Sequence, residues 1–167
     1  MGSSLLGTSI ASVTLHVAAF AELPPATLYA LLQLRVQVFV VEQRCPYQDL
    51  DGRDTDPGTR HVWLADGEEP LAYLRILAEP DGTARIGRVC VAPSARGGGL
   101  ARRLMLDTLE LIGPHPVVLD AQAYLEGFYL GLGFTPTGAQ FLEDGIPHVP
   151  MRRAYGSAAT SSATDRR

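Results

Sequence analysis

A short apolar strand that leads through a glycine-rich turn into a helix constrains this chain more than any other feature. Residues 88–92 are apolar at most positions, Pro93 interrupts the strand, and Arg96-Gly97-Gly98-Gly99 precedes a helical pattern that begins at Leu100. Glycines let backbone N–H groups approach a ligand closely, and a helix N-terminus adds N–H donors and the positive end of the helix dipole. The segment therefore predicts a site for an anionic ligand such as a phosphate.

Two common phosphate-binding loops do not fit this turn. The nucleoside-triphosphate loop requires a Gly-Lys-Ser/Thr ending, which is absent here. A dinucleotide fingerprint would have its third glycine where Arg102 stands, in a strand-helix-strand unit near the start of a parallel sheet. A purely structural glycine turn stays open, but it gives no purpose to three consecutive glycines with flanking arginines.

Length and charge restrict the class of protein. With 167 residues and 46% apolar content, the chain is long enough for one well-buried domain and short for two. The net charge of −4 argues against a general nucleic-acid binder. The basic residues gather instead around the glycine-rich turn, which suits a compact polyanion: Arg85, Arg88, Arg96, Arg102 and Arg103.

Cysteine usage and hydropathy indicate a cytoplasmic protein that does not bind membranes. Cys45 and Cys90 are far apart and form no Cys-x-x-Cys pattern, so neither a zinc site nor a disulfide framework is expected. No apolar run approaches the roughly 20 residues of a membrane span, and the N-terminus lacks the order of a signal peptide. A reducing cytoplasm is therefore the expected setting.

The predicted elements indicate an α+β domain with a mixed, mostly antiparallel central sheet flanked by helices. In chain order they are a strand Val13 to Phe20, a helix from Pro24-Pro25 toward Glu42, strands 60–65, 71–78 and 84–92 as an antiparallel meander, a helix from about Gly97 to Ile112, a buried strand 117–121, a short helix 125–132, and a last strand pair around Phe134 and Val149. Residues 13–153 are predicted to form the domain, between a flexible N-terminus, 1–12, and a flexible tail, 154–167.

Residues 45–59 read as an exposed loop with four aspartates, Asp49, Asp51, Asp54 and Asp56. If Asp49 were the first ligand of a calcium-binding EF-hand, Asp54 would stand where glycine is needed and Arg60 where glutamate is needed, so that site is excluded. No metal is expected. Two interpretations stay open: an electronegative rim that favours amine substrates, or a solvated turn.

Two motifs together resemble the GNAT superfamily of acetyl-CoA-dependent N-acetyltransferases. The segment from Arg96 to Ala101 is similar to the signature Arg/Gln-x-x-Gly-x-Gly/Ala, and the segment from Phe128 to Phe134 is similar to Phe-Tyr-x-x-x-Gly-Phe. Residues 38–43, 47–52 and 143–148 resemble the ElaA-like branch. The resemblance covers most of the chain and implies the GNAT (acyl-CoA N-acyltransferase) fold.

The resemblance also implies which residues bind acetyl-CoA. Backbone N–H groups at the glycine-rich turn would hold the pyrophosphate, from Arg96, Gly97, Gly98, Gly99, Leu100, Ala101 and Arg102. Backbone groups of the preceding strand would bind the pantetheine arm, from Val89, Cys90 and Val91. The resemblance also implies that the end of this strand is bulged and that the bulge directs a backbone N–H near Val91 at the thioester carbonyl. Arg102 and Arg103 would reach outer phosphates. Gln122 stands where many members have an asparagine that contacts the pantetheine arm, with altered geometry expected.

The catalytic groups are carried over residue by residue. Tyr129 matches the tyrosine near the thioester sulfur and would act as general acid, although it could also be a packing tyrosine of the core. Glu42 is the first candidate for general base and His148 the second; a solvated helix-end charge and a structural histidine are the respective alternatives. Gln43 and Tyr47 are expected to bind the acceptor. His61 is expected to be structural.

The resemblance implies direct attack of a primary amine on acetyl-CoA in a ternary complex, with no covalent enzyme intermediate. The expected acceptor is a small-molecule amine or a peptide amine, and not nucleic acid; a homodimer is left open. The alternative is a non-catalytic acyl-CoA-binding sensor or regulatory module. Such a module would keep the glycine-rich turn and lose the acid and the base.

Overall fold

Eight strands form one mixed sheet in the computed structural model, which describes residues 12–156. They are β1 Val13–Ala18, β2 Arg60–Asp66, β3 Glu69–Ala78, β4 Ala84–Val91, β5 Val117–Gln122, β6 Thr135–Pro136, β7 Phe141–Glu143 and β8 Ile146–Arg153. The strand order is β1-β2-β3-β4-β5-β8-β6, and β7 pairs with β8. The α-helices are α1 Pro25–Val36, α2 Leu100–Ile112 and α3 Glu126–Leu130. The α+β prediction is confirmed.

Contacts divide the described residues into two compact units. Unit 1 consists of residues 12–75 and 88–104, and unit 2 consists of residues 76–87 and 105–156. The predicted flexible ends lie outside the described residues, except for Ser12 and residues 154–156.

Unit 1 has its core between α1 and the first strands. Its buried apolar residues are Leu23, Leu31, Leu34, Val38, Trp63, Ala65, Tyr73 and Cys90. Pro25 occupies the first position of α1, where the missing N–H costs nothing and the fixed φ suits a helix. β1 pairs with β2 in antiparallel register from Val13 opposite Asp66 to Ala18 opposite His61.

The helix that begins as α1 ends in a π-helical segment, Gln37–Glu42. The N–H of Gln43 bonds to the carbonyl of Val38, and the N–H of Cys45 bonds to the carbonyl of Val40, which are i to i−5 bonds. The helical prediction for this β-branched stretch is therefore confirmed, but with a wider turn than an α-helix. Segments of this kind are rare and frequently occur at functional sites.

Unit 2 is built on β5, which lies between two partners. β4 and β5 are parallel, with Ala84 opposite Val117 and Arg85 opposite Val118. β5 and β8 are antiparallel, ending with Gln122 opposite His148. Buried apolar residues of this unit include Leu109, Val117, Leu119, Tyr129, Leu132, Phe134, Val149 and Met151.

A β-bulge interrupts β4. The N–H of Glu79 donates to the carbonyl of Thr83, and the N–H of Ala92 donates to the carbonyl of Leu71. Between these two bonds lies one residue more on the β4 side than on the β3 side, which is the definition of a bulge. Arg88 has a φ of 55°, so the extra residue adopts a left-handed conformation that costs a non-glycine residue about 1–2 kcal/mol.

The start of α2 differs from the prediction. The helix begins at Leu100, three residues after the predicted Gly97. Gly97 and Gly99 have φ angles of 84° and 79°, which lie outside the right-handed helical region. The glycines therefore belong to the turn, and only the residues after them are helical.

Candidate active site

The glycine-rich turn has the backbone that a close ligand contact requires. A Cβ added at Gly97 or at Gly99 would meet no atom within 4 Å, so the space above both glycines is open. The N–H of Arg103 donates to the carbonyl of Gly99 at 3.0 Å and closes the first turn of α2. The N–H groups of a first helical turn have no carbonyl within the helix, so they can bind an anion. The residues present fit a pyrophosphate.

Arg96 connects the turn to β4 and to the π-helical segment. Its Nε donates to the Val91 carbonyl at 3.2 Å, and its Nη2 forms an ion pair with Oε1 of Glu42 at 2.9 Å. The structure thus brings together three predicted site residues, Glu42, Val91 and Arg96. Oε1 of Glu42, the candidate base, is paired with the Arg96 guanidinium. The Val91 carbonyl can accept a hydrogen bond from a side chain and not only from a neighbouring strand.

The middle residue of the predicted pantetheine strand, Cys90, contributes its backbone only. Its side chain is 5% exposed. Burial raises the pKa of the Cys90 thiol to about 12, so the thiolate is scarce at neutral pH. The other cysteine, Cys45, is also buried. Cys90 is therefore not expected to act as a nucleophile.

The predicted arginine cluster is wrong for three of its members, because carboxylates neutralise Arg85, Arg88 and, through Glu42, Arg96. Arg85 pairs with Glu79 at 2.7 Å and with Asp120 at 3.2 Å. Arg88 pairs with Asp49 at 2.8 Å. The Arg103 guanidinium donates to the Val13 carbonyl at 3.0 Å. The positive charge near the turn is therefore smaller than the sequence suggested.

The prediction of an exposed aspartate loop, residues 45–59, is wrong for two of its four aspartates, Asp49 and Asp54, whereas Asp51 and Asp56 are exposed. Asp49 and Asp54 are 4% and 7% exposed, because both carboxylates pair with the fully buried Arg35 of α1. Arg35 Nε lies 3.1 Å from Asp49 Oδ2, and Arg35 Nη1 lies 2.7 Å from Asp54 Oδ1. Neither an electronegative rim nor a solvated turn describes these residues.

Arg75 of β3 completes the buried network. Its Nη1 donates to Asp51 at 2.8 Å and to Asp54 at 3.1 Å. The hydrogen bond from Arg75 lowers the pKa of Asp51 well below its usual range, against an opposing effect of burial. Burial acts to raise the pKa of Asp54, but the hydrogen bond and the charge of Arg35 outweigh it, so this pKa is also lowered. All three carboxylates are balanced by Arg35, Arg75 and Arg88.

Sequence reasoning missed this network, although one signal was present. Arg35 falls at helical spacing with Leu28, Leu31 and Leu32, on the apolar face of the predicted helix. An arginine on such a face needs a buried anion, and the aspartate-rich loop supplies it.

Of the two predicted acceptor-binding residues, Tyr47 belongs to the same network. Its hydroxyl donates to Asp49 Oδ1 at 2.7 Å, and the Arg88 guanidinium lies over its ring, 5.4 Å from the centroid. Burial and the hydrogen bond to Asp49 raise the pKa of Tyr47. Gln43 directly follows the π-helical segment and caps its C-terminus.

His61 is buried, in agreement with its expected structural role. Its Nε2 lies 3.0 Å from the carbonyl of Asp54, and its Nδ1 lies 2.7 Å from the hydroxyl of Tyr73. A carbonyl only accepts, so Nε2 carries the proton and Nδ1 accepts from Tyr73. Burial lowers the pKa of His61, which favours this neutral form.

Tyr129, the predicted acid, lies on α3 in unit 2 and is 5% exposed. Its ring makes edge contacts with Phe128 at 5.0 Å and with Phe134 at 5.9 Å between centroids. Burial raises the pKa of Tyr129, so the phenol keeps its proton at neutral pH. A protonated phenol is the form that a general acid requires.

His148, the second candidate base, has a defined tautomer. Its Nδ1 donates to the Ile146 carbonyl at 2.7 Å, which leaves Nε2 as the acceptor nitrogen. Nε2 lies 4.0 Å from Glu143 Oε2, and the ring stacks on Phe141 at 5.8 Å. β8 holds His148 directly opposite Gln122, the predicted pantetheine contact on β5.

Two absences hold for the described part of the chain. Within residues 12–156, no three or more histidine, cysteine, aspartate or glutamate side chains are grouped as a metal site would require. Among the helices of the same residues, none has the length and apolar content to cross a bilayer.

Comparison with known proteins identifies the family. Residues 28–155 match the model of the acetyltransferase (GNAT) domain. A UPF0039 protein of Mycobacterium tuberculosis is 50% identical over 137 residues, which are 79% of this chain and 87% of that protein. Protein ElaA of Escherichia coli is 48% identical over 138 residues, which are 79% of this chain and 90% of ElaA.

Solved structures agree with this result. An acyl-CoA N-acyltransferase from Pseudomonas aeruginosa superposes with a TM-score of 0.81 at 44% identity, covering 86% of this chain and all of that one (100%). The crystal structure of Escherichia coli ElaA gives a TM-score of 0.79 at 44% identity, covering 84% and 99% of the two chains. The chain has the acyl-CoA N-acyltransferase fold predicted for it, and it belongs to the GNAT acetyltransferase family.

Proposed function

We propose that this protein transfers the acetyl group of acetyl-CoA to a primary amine. The observation that carries the proposal is the glycine-rich turn, in which Gly97 and Gly99 adopt left-handed conformations with open space above them at the start of α2. Family membership supports acyl transfer, and the name of the 44% identical Pseudomonas aeruginosa structure supports an acyl-CoA donor and a nitrogen acceptor. We propose residues 13–153 as the catalytic domain.

The chain would hold acetyl-CoA mainly through its backbone. The N–H groups of the turn and of the first residues of α2 would bind the pyrophosphate. The Val91 carbonyl, which accepts from Arg96 in this structure, would be an acceptor for an amide of the pantetheine arm. When bound, acetyl-CoA supplies the acetyl group as a thioester.

The proton inventory of the reaction requires one base and one acid. The amine nitrogen forms a bond to the acetyl carbon, the carbon–sulfur bond breaks, and the amine loses one proton while the thiolate gains one. His148 Nδ1 donates a hydrogen bond to the Ile146 carbonyl, so Nε2 is left to accept a proton from the amine. This arrangement supports His148 as the base. Glu42, whose Oε1 pairs with Arg96, would attract the cationic amine or act as the alternative base.

Tyr129 is the proposed acid. Its buried phenol is protonated at neutral pH and can donate to the departing sulfur. A backbone N–H near Val91 would donate to the thioester carbonyl oxygen.

A thiol-release assay tests the function. The protein is incubated with acetyl-CoA and with separate polyamines, amino acids, aminoglycosides and lysine peptides, and free thiol and acetylated amine are both measured. The proposal expects amine-dependent thiol release with an equal amount of acetylated product. Binding of acetyl-CoA without release in any incubation would support the sensor alternative instead.

A further inference from the structure

The aspartate loop holds charged groups that the proposed acyl transfer does not use. Asp49, Asp51 and Asp54 are each paired with an arginine within unit 1. One of the arginines that they contact is Arg88, the residue with the left-handed φ of 55° in the bulge of β4. The loop and the bulge are therefore joined through a single side chain.

Arg88 makes several separate contacts with the loop. Its Nε lies 2.8 Å from Asp49 Oδ1, and its Nη2 lies 3.4 Å from Asp51 Oδ2. Nη2 also donates to the Asp49 carbonyl at 3.1 Å, and the guanidinium covers the ring of Tyr47. The side chain is 21% exposed, so these contacts are largely shielded from water.

Two further arginines, Arg35 and Arg75, connect the aspartate loop to α1 and β3. Arg35, which is fully buried, binds Asp49 through Nε at 3.1 Å and through Nη2 to the carbonyl at 3.0 Å. Arg75 binds Asp51 through both terminal nitrogens. Arg35 of α1 and Arg75 of β3 therefore fix the positions of the two carboxylates that contact Arg88.

The presence of arginine at position 88 of the bulge indicates that its side chain has a structural role. Glycine adopts a left-handed conformation without steric cost, and arginine does not. A chain that has arginine there needs compensating contacts to keep the backbone in that conformation. The ion pairs with the loop supply them.

We propose that the aspartate loop is a brace that acts through Arg88 to hold the β4 bulge, and thereby sets the direction of the backbone N–H and carbonyl groups of Val89, Cys90 and Val91. Arg88 is a positioning residue, and the groups it positions are those that would bind the pantetheine arm and the thioester carbonyl. The inference rests on the proposed acetyl transfer for its effect on rate, but not for its effect on the backbone.

Two substitutions at position 88 separate side-chain from backbone effects. Arg88→Gly removes the ion pairs but tolerates the left-handed conformation. Arg88→Ala removes the same ion pairs and keeps the steric cost. Arg53→Ala is the control, since this arginine belongs to the same loop and pairs with Asp56 on the exposed surface at 4.0 Å.

Acetyl-CoA turnover and binding are measured for all variants, together with the amide chemical shifts of residues 89–91. The brace predicts that Arg88→Ala lowers kcat roughly tenfold more than Arg88→Gly does. The Kd for acetyl-CoA should change little, because the glycine-rich turn is intact. The amide shifts should move in both Arg88 variants, which have lost the ion pairs with the loop, and stay near those of the unsubstituted protein in Arg53→Ala.

Amide shifts and kcat values in both Arg88 variants that match those of the unsubstituted protein would overturn the brace. If the unsubstituted protein releases no thiol with any amine, acetyl transfer fails. The amide shifts then decide the brace on their own, because they report the bulge without turnover.

Discussion

At the scale of single residues, burial determines the protonation state of the groups that matter. Tyr129 and Cys90 are both nearly inaccessible, and burial raises both pKa values. The consequence differs with the chemistry: a protonated phenol can act as an acid, whereas a protonated thiol is a poor nucleophile. The same physical cause thus supports Tyr129 as a participant and argues against Cys90.

Tyr129→Phe tests the acid. The substitution keeps the ring and its edge contacts with Phe128 and Phe134 but removes the proton donor. We expect kcat to fall by roughly 10²- to 10⁴-fold, the usual contribution of a general acid. The Kd for acetyl-CoA should stay nearly constant. Unchanged turnover in this variant would show that the phenol is a packing residue only.

His61 gives the fold a pH dependence whose sign follows from its lowered pKa. The unfolded chain has the ordinary histidine pKa of 6.5 and takes up a proton below that pH, while the folded chain resists protonation. The free energy of unfolding is therefore highest above pH 6.5 and decreases as the pH falls below that value. Urea unfolding at pH 7.0, 6.5 and 5.5 measures this slope.

The substitution His61→Gln should flatten the slope, because it removes the titrating group. His115→Gln is the matched control at an exposed histidine and should keep the original slope. Equal slopes in the original protein and in His61→Gln would mean that His61 is not the source. The lowered pKa values of Asp51 and Asp54 act below pH 3.8 and do not enter this range.

At the scale of elements, the turn before α2 combines a fixed backbone with open space. Gly99→Val puts a side chain into that space, where no protein atom lies within 4 Å. Binding of acetyl-CoA should weaken by more than tenfold, because the side chain would occupy the position of the ligand. Calorimetric titration measures the Kd, and urea unfolding measures the accompanying loss of stability.

Gly82→Val is the control for that loss. Gly82 has a φ of 83°, close to the 79° of Gly99, and the space around its Cβ position is also open. Both substitutions therefore carry a similar conformational cost, about 1–2 kcal/mol. We expect Gly82→Val to bind acetyl-CoA normally. Equal affinities in the two variants would show that the glycine-rich turn is not part of the binding site.

At the scale of the whole molecule, local patterns predicted the elements well. The predicted antiparallel meander of strands 60–65, 71–78 and 84–92 corresponds to β2, β3 and β4, and each strand lies within two residues of its predicted bounds. The two motifs that resemble the GNAT superfamily led to the correct family. These signals are all contained in short segments, which is why the sequence alone revealed them.

Ion pairs between residues far apart in the sequence could not be predicted from such local patterns. Arg88 and Asp49 are 39 residues apart, and Arg75 and Asp51 are 24 residues apart, so no local pattern links them. The aspartate loop was consequently interpreted as an electronegative rim or a solvated turn, although Asp49 and Asp54 are buried in ion pairs. The family resemblance implied a bulge at the end of this strand, but not the left-handed backbone of Arg88, because an arginine gives no sign of that conformation.

Calorimetric titration with acetyl-CoA tests the central claim of acyl-CoA binding most directly. The protein is titrated under conditions in which its fold is verified by circular dichroism. We expect saturable binding of one acetyl-CoA per chain. Absence of saturable binding by a correctly folded protein would contradict the assignment of the glycine-rich turn and, with it, the proposed acetyl transfer.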